Sequence, residues 1–326
     1  MRKWGMGAGL ALALLTVTAA IAFQQDARPP AQRGEGAPYE VFGTEVHDVS
    51  DHARGIAYQI FVSLPSSYAS HPDRRYPVIY VTDADYGFAM LRAIGRRMNG
   101  AGPRLEEFIV VGLSYAKGEA PQASRRRDYT PTSHGASDAP TDAVHGESLR
   151  YRDYLQTSVF PFVEGKWRTL PHRRIYVGHS YGGLLGAQIL LTRPEMFSGY
   201  LLGSPSFWFD KGHLLKQAPD LLERRTALDA AVYMYVGEFE ALRRGDPRYQ
   251  QEVDMVRDNA VFADMLRARH YAGLDLKAEV MAGEDHMTVA PRGFTQGLLH
   301  LLPDPKTARL RTEPKSREAP SDNAPR

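Results

Sequence analysis

Ser180 stands in the stretch GHSYG, with a glycine two positions before it and another two positions after it. A serine hydroxyl attacks a carbonyl near neutral pH only if a base removes its proton, so the chemistry this spacing suggests requires a histidine elsewhere. Of the eleven histidines, His286 and His300 follow Leu276. His300 sits inside an apolar helical run, whereas His286 lies in MAGEDHMTV, directly after the run Leu276 to Met281. His286 is therefore the expected base. An imidazole working this way is held by a carboxylate, and YVGEFEALRRG offers Glu238 and Glu240. Glu240, three residues past Gly237, is the preferred acid. Glu238 and an acid-free Ser–His pair are the alternatives. The competing structural reading is a glycine-rich turn carrying a solvated serine.

The elements around these residues favour chemistry. Ile175 to Val177 reads as a strand and Gly182 to Leu191 as a helix, so GHSYG has the strand–turn–helix context that a nucleophile elbow needs. Its glycines let the backbone pass close by while the serine takes a strained conformation. The helix start behind it places the N–H of Tyr181 where negative charge develops on a reacting carbonyl oxygen. A second donor is expected from YVTDADYG, at the N–H of Asp85 or of its neighbour Ala84, and Asp83 and Asp85 are also candidates to cap the following helix.

Further strand-like runs occupy Ile56 to Leu64, Tyr76 to Val81, Phe108 to Leu113, a run reached from Met196 to Leu202, Ala231 to Val236, and Leu276 to Met281. Helical stretches are expected at Leu149 to Trp167, Val253 to Tyr271 and Arg292 to Leu301. Buried strands alternating with helices predict an α/β fold, a mostly parallel central sheet with helices on both faces and an antiparallel hairpin at its N-terminal edge. Ala116 to Ser148 is polar and too long for an ordinary connection, which makes it a possible lid.

The 326 residues are 43% hydrophobic, enough for a sizeable core, and 40 basic against 38 acidic residues leave a net charge of +2. No field of one sign suggests nucleic acid or a membrane surface as partner. Residues 1–22 carry Arg2 and Lys3, an apolar run and a small-residue end, the pattern of a signal peptide. A periplasmic or secreted protein follows, free of the membrane once the signal is cleaved. Residues 23–38 read as a flexible leader, 39–302 as one folded α/β domain and 303–326 as a disordered tail. The chain has no cysteine, so it would be stable outside the cell without disulfides.

Five motifs in order carry a resemblance: VSLPSSY (Val62 to Tyr68), YPVIYVTDAD (Tyr76 to Asp85), RRRDYTP (Arg125 to Pro131), GHSYGG (Gly178 to Gly183) and GSPSFWF (Gly203 to Phe209). Together they resemble the "Putative esterase" family of the α/β-hydrolase superfamily, in the branch of siderophore esterases that open the trilactones of enterobactin and salmochelin. The resemblance spans Glu45 to Leu302. It implies the α/β-hydrolase fold and a serine esterase with Ser180 as nucleophile and His286 as base. It also implies Arg127 beside the pocket as a donor to an anionic or catecholate ligand. Trp208 is placed to wall the pocket, or else to pack as an ordinary core aromatic. The chain departs from the family in carrying Ala84 where glycine usually follows Asp83. That methyl is compatible with an oxyanion donor if φ is negative.

The expected activity is hydrolysis of a small-molecule carboxylic ester through an acyl-enzyme, with no metal and no organic cofactor. An acyltransferase or acyl-sugar esterase would use the same groups. An exported protein that binds a siderophore or carbohydrate without turnover would not need them.

Overall fold

The computed structural model describes residues 43–306 apart from 101, 103 and 136–138, together with residues 36, 40 and 41. The expected signal peptide and most of the expected leader and tail lie outside the described residues. In chain order the strands are β1 (Thr44–Asp51), β2 (Ile56–Ser63), β3 (Tyr76–Val81), β4 (Ile109–Ala116), β5 (Thr169–His179), β6 (Gly199–Gly203), β7 (Ala230–Gly237) and β8 (Leu274–Met281). The helices are α1 (Ala84–Asn99), α2 (Pro121–Tyr129), α3 (Ser148–Tyr154), α4 (Phe160–Lys166), α5 (Tyr181–Thr192), α6 (Phe209–Glu223), α7 (Met255–Ala268) and α8 (Val289–Leu301).

One sheet holds the strands in the order β1-β2-β4-β3-β5-β6-β7-β8. β2 runs antiparallel to β4, and each neighbouring pair from β4 through β8 is parallel. Successive side chains of a strand point to opposite faces, and the β-branched and aromatic runs supply an apolar residue to both. Tyr80, Tyr176, Leu202 and Met234 join a core that includes Tyr151, Phe160, Leu184, Leu214 and Phe262. Ile79, Val81, Val177, Leu201 and Tyr233 join a second core with Phe88, Leu91, Phe294 and Leu298. Thus α1 and α8 cover one face, and α3 to α7 cover the other. All six residues of β3 are buried, as a doubly covered strand requires.

The run Leu149 to Trp167 forms α3 and α4, separated by a π-helical turn at Leu155–Val159. Pro161 lacks the N–H that would continue the ladder, and the wider turn stands just before it. The polar stretch Ala116 to Ser148 contains α2, whose Asp128 is buried. Asp128 accepts from Arg54 Nη1 at 3.0 Å, Tyr58 Oη at 2.8 Å, Ser124 Oγ at 3.1 Å and Arg127 Nε at 3.0 Å.

Candidate active site

Ser180 stands between β5 and α5 with φ 61° and ψ −120°, a conformation a non-glycine residue adopts only when its surroundings enforce it. The turn is tightly enclosed by backbone and side chain. A Cβ at Gly178 would lie 2.3 Å from the carbonyl oxygen of Gly182, and one at Gly182 would lie 2.2 Å from Thr82 Oγ1. Both positions need glycine for space. Ser180 N–H donates to the Gly203 carbonyl at 2.9 Å, and its Oγ is 3.3 Å from Ser206 Oγ.

The end of β6 contributes more than this one contact. Ser204 Oγ donates to Glu240 Oε1 at 2.6 Å, and the N–H of Gly237 donates to the same oxygen at 2.8 Å. The other carboxylate oxygen of Glu240, Oε2, lies 2.6 Å from His286 Nδ1. Glu240 is 0% exposed, so each contact replaces water that a carboxylate would otherwise hold. A carboxylate only accepts; the proton is therefore on Nδ1, and Nε2 of His286 carries the lone pair. Glu238 is engaged differently, accepting the N–H of Gly283 at 2.9 Å and the Tyr249 hydroxyl at 3.2 Å. It fastens the β8 loop to the β7 loop without meeting the imidazole. The two loops are further joined by the Phe239 N–H to the Glu284 carbonyl at 3.0 Å.

The first turns of α1 and α5 meet across Gly182, whose α-carbon faces Thr82 and Asp83. Tyr181 is the first residue of α5, at its positive end. Asp83 precedes α1 in a left-handed conformation with φ 51°. Its buried carboxylate accepts from Arg125 Nε at 3.0 Å, Arg125 Nη2 at 3.3 Å and the Tyr115 hydroxyl at 2.8 Å. The same guanidinium lies 5.1 Å from the centroid of the Tyr181 ring. Ala84 is buried at the start of α1 and its φ is not positive, so the methyl in place of glycine leaves the backbone unstrained. Gly112 makes room for it, since a Cβ there would come within 2.9 Å of the Ala84 Cβ.

A cavity of about 1170 Å³ opens above the strand ends, lined by Ser180, Ser206 and His286 together with Trp208, Phe239 and Tyr249. Residues 247–253 form one wall, Met287 stands beside His286, and His134 and Gly135 reach it from the long polar segment. Of the residues expected from sequence, Ser180, His286 and Trp208 line this cavity, Glu240 stands behind His286, and Tyr181 adjoins Ser180. The side chains of Asp85 and Arg127 are not among its lining. Asp85 is exposed, with its carboxylate near the Tyr115 hydroxyl at 3.1 Å. Arg127 is turned inward to Asp128 and Glu119, with Nη1 at 2.7 Å from Glu119 Oε1. The arginine of RRRDYTP that approaches the Ser180 turn is Arg125, two residues earlier, because α2 directs positions 125 and 127 to different sides. Ser204 and Ser206 were not singled out from sequence, although GSPSFWF at the end of the strand beside β5 is where such partners belong.

Residues 52–270 match the family model described as "Putative esterase", which is more than half of the chain. This chain belongs to that family. The esterase is 28% identical over 270 residues to the ferri-bacillibactin esterase BesA of Bacillus subtilis (strain 168), covering 79% of this chain and 89% of the relative. It is 29% identical over 281 residues to the siderophore triacetylfusarinine C esterase of Aspergillus fumigatus, covering 78% of this chain and 91% of that protein. The structure of siderophore hydrolase EstB from Aspergillus nidulans superposes with a TM-score of 0.68 at 26% identity, covering 82% of this chain and 97% of EstB. The α/β-hydrolase fold and an ester-hydrolysing activity are thereby those of this chain. The esterase has no helix among its described residues long and apolar enough to cross a membrane.

Proposed function

We propose that this esterase cleaves the backbone esters of a siderophore, with Ser180 as nucleophile, His286 as base and Glu240 as the acid that orients it. The observation carrying the reading is the 2.6 Å contact between His286 Nδ1 and Glu240 Oε2, made by a histidine that shares one large cavity with the serine. Ser180 Oγ attacks the ester carbonyl carbon while Nε2 of His286 takes its proton. The imidazolium formed is stabilised by Glu240 and returns the proton to the departing alcohol oxygen. Water then attacks the acyl-enzyme with the same imidazole as base, releasing the acid and restoring Ser180. The N–H of Tyr181, with that of Asp85 or Ala84 at the start of α1, stabilises the tetrahedral oxyanion.

A cavity of about 1170 Å³ exceeds the roughly 300–1,000 Å³ of ordinary small-molecule sites. Its aromatic wall of Trp208, Phe239 and Tyr249 suits a bulky polyester better than a short acyl chain. The related esterases named for bacillibactin and triacetylfusarinine C support the same class. The charged start and apolar run of residues 1–22 support export to the periplasm or beyond.

The test has two parts. Ser180→Ala is expected to abolish labelling by a fluorophosphonate and to lower turnover about 10⁴- to 10⁶-fold with folding intact; wild-type turnover in that variant overturns the nucleophile assignment. A panel of ferric and apo tricatecholate trilactones, a ferric trihydroxamate triester and short p-nitrophenyl esters reads the substrate class. Higher kcat/KM on the siderophore esters is expected, and preference for the p-nitrophenyl esters overturns that class.

A further inference from the structure

A second histidine lies beneath the base, and the ester chemistry makes no use of it. His179 is the last residue of β5, immediately before Ser180, and is buried. Its Nε2 is 3.0 Å from the backbone carbonyl oxygen of His286, and its Nδ1 is 3.2 Å from the Tyr235 hydroxyl. The two imidazole rings are 4.6 Å apart, centroid to centroid. A carbonyl oxygen only accepts, so Nε2 carries the proton. Burial, with His286 and Arg125 nearby as potential or actual cations, pushes the His179 pKa down to about 3, although the bond to the His286 carbonyl opposes this. The ring is therefore neutral at working pH, Nδ1 holds a lone pair, and the Tyr235 hydroxyl donates to it. The chain of donors runs one way, from Tyr235 to His179 to the main chain of His286.

Tyr235 is fixed by space. A Cβ at Gly203 would lie 2.1 Å from its hydroxyl oxygen, and one at Gly293 would lie 2.5 Å from its ring. Neither glycine has a positive φ, so room for this ring is what the structure obtains from them. The Tyr235 carbonyl also accepts the N–H of Ser204 at 2.7 Å, the residue whose hydroxyl holds Glu240. Tyr235 thus touches both supports of the acid–base pair.

We propose that His179 is a positioning residue: locked as a single neutral tautomer by Tyr235, it latches the carbonyl of His286 and keeps that imidazole against Glu240. The inference rests on the reading of His286 as the base. Without the latch, the β8 loop would still be held by Glu238 and Phe239, but residue 286 itself would lose its main-chain anchor. A small loss of alignment between reacting groups costs rate steeply.

The test compares Tyr235→Phe, His179→Gln, His179→Leu and Ser180→Ala by p-nitrophenyl acetate kinetics across pH, with thermal melting to establish folding. Tyr235→Phe removes one hydroxyl and is expected to lower kcat about tenfold with KM nearly unchanged. His179→Leu is expected to lose on the order of a hundredfold. His179→Gln, whose amide N–H reaches the same carbonyl, is expected to recover much of that. In the impaired variants the loss falls on kcat and spares KM, and its recovery in His179→Gln separates positioning from packing. A folded Tyr235→Phe with wild-type kcat overturns the latch, whether or not His179→Leu folds. If Ser180→Ala retains turnover, the triad reading itself has failed, an outcome separate from failure of the latch.

Discussion

Two glutamates two positions apart follow β7, and their environments give them different work. Glu240 is enclosed and meets three donors on two oxygens. Glu238 is partly exposed and bonds the N–H of Gly283 and the Tyr249 hydroxyl. Glu240→Gln is expected to reduce kcat by up to about 10⁴-fold, since an amide can turn a donor toward the imidazole and favour the wrong tautomer. Glu238→Gln is expected to leave kcat near wild type, and steady-state kinetics on one ester settles the contrast. From sequence, Ser180 and His286 were legible because each sits in a motif or at a strand end that chemistry restricts. Spacing favoured Glu240 over Glu238, but what separates them is which side chain turns beneath the histidine, which spacing does not fix. Arg127 was misplaced for a similar reason: in a run of three arginines, only the helix phase distinguishes the one facing the Ser180 turn.

Among the elements, the turn at Ser180 is where glycine is least replaceable. Gly178→Ala would drive a methyl into the Gly182 carbonyl, and neither strand nor helix can yield without moving Ser180. A loss of about 1–3 kcal/mol in urea unfolding, together with most of the activity, is expected. Gly165 is exposed in α4, and a methyl added there would meet nothing within 4 Å. Gly165→Ala is expected to stabilise by about 0.5–1 kcal/mol through helix propensity, without effect on turnover. The inner strands were legible because burial on both faces demands unbroken apolar runs: Tyr76 to Val81 matches β3, and Ala231 to Val236 falls within β7. β1, α2 and α6 were not anticipated. The sequence TEVHDVSD at β1 is mostly polar, α2 carries three consecutive arginines, and α6 contains left-handed Asp210, Lys211 and Gly212 as well as Pro219. Each is shaped by its neighbours more than by its own residues.

For the molecule as a whole, His179 links folding to pH. Its pKa is about 3 in the folded chain against the ordinary 6.5. Between those values the unfolded chain binds about one more proton than the folded one, so stability is complete above 6.5 and falls as pH drops toward 3. His145, lowered by burial as well, acts in the same direction. His179→Gln is expected to flatten the acid slope of the unfolding free energy by about one proton, measured by urea denaturation at several pH values. The loop after β8 has its own constraint. It crosses directly over Gly237, where a Cβ would stand 2.5 Å from the Glu284 oxygen, and it returns over neighbouring strand ends to bring His286 to the serine's cavity. By contrast, residues 247–253 form a wall of that cavity and include none of Ser180, Glu240 and His286. New ester preferences can therefore be engineered by rebuilding that wall, while the crossing over Gly237 has to be inherited unchanged.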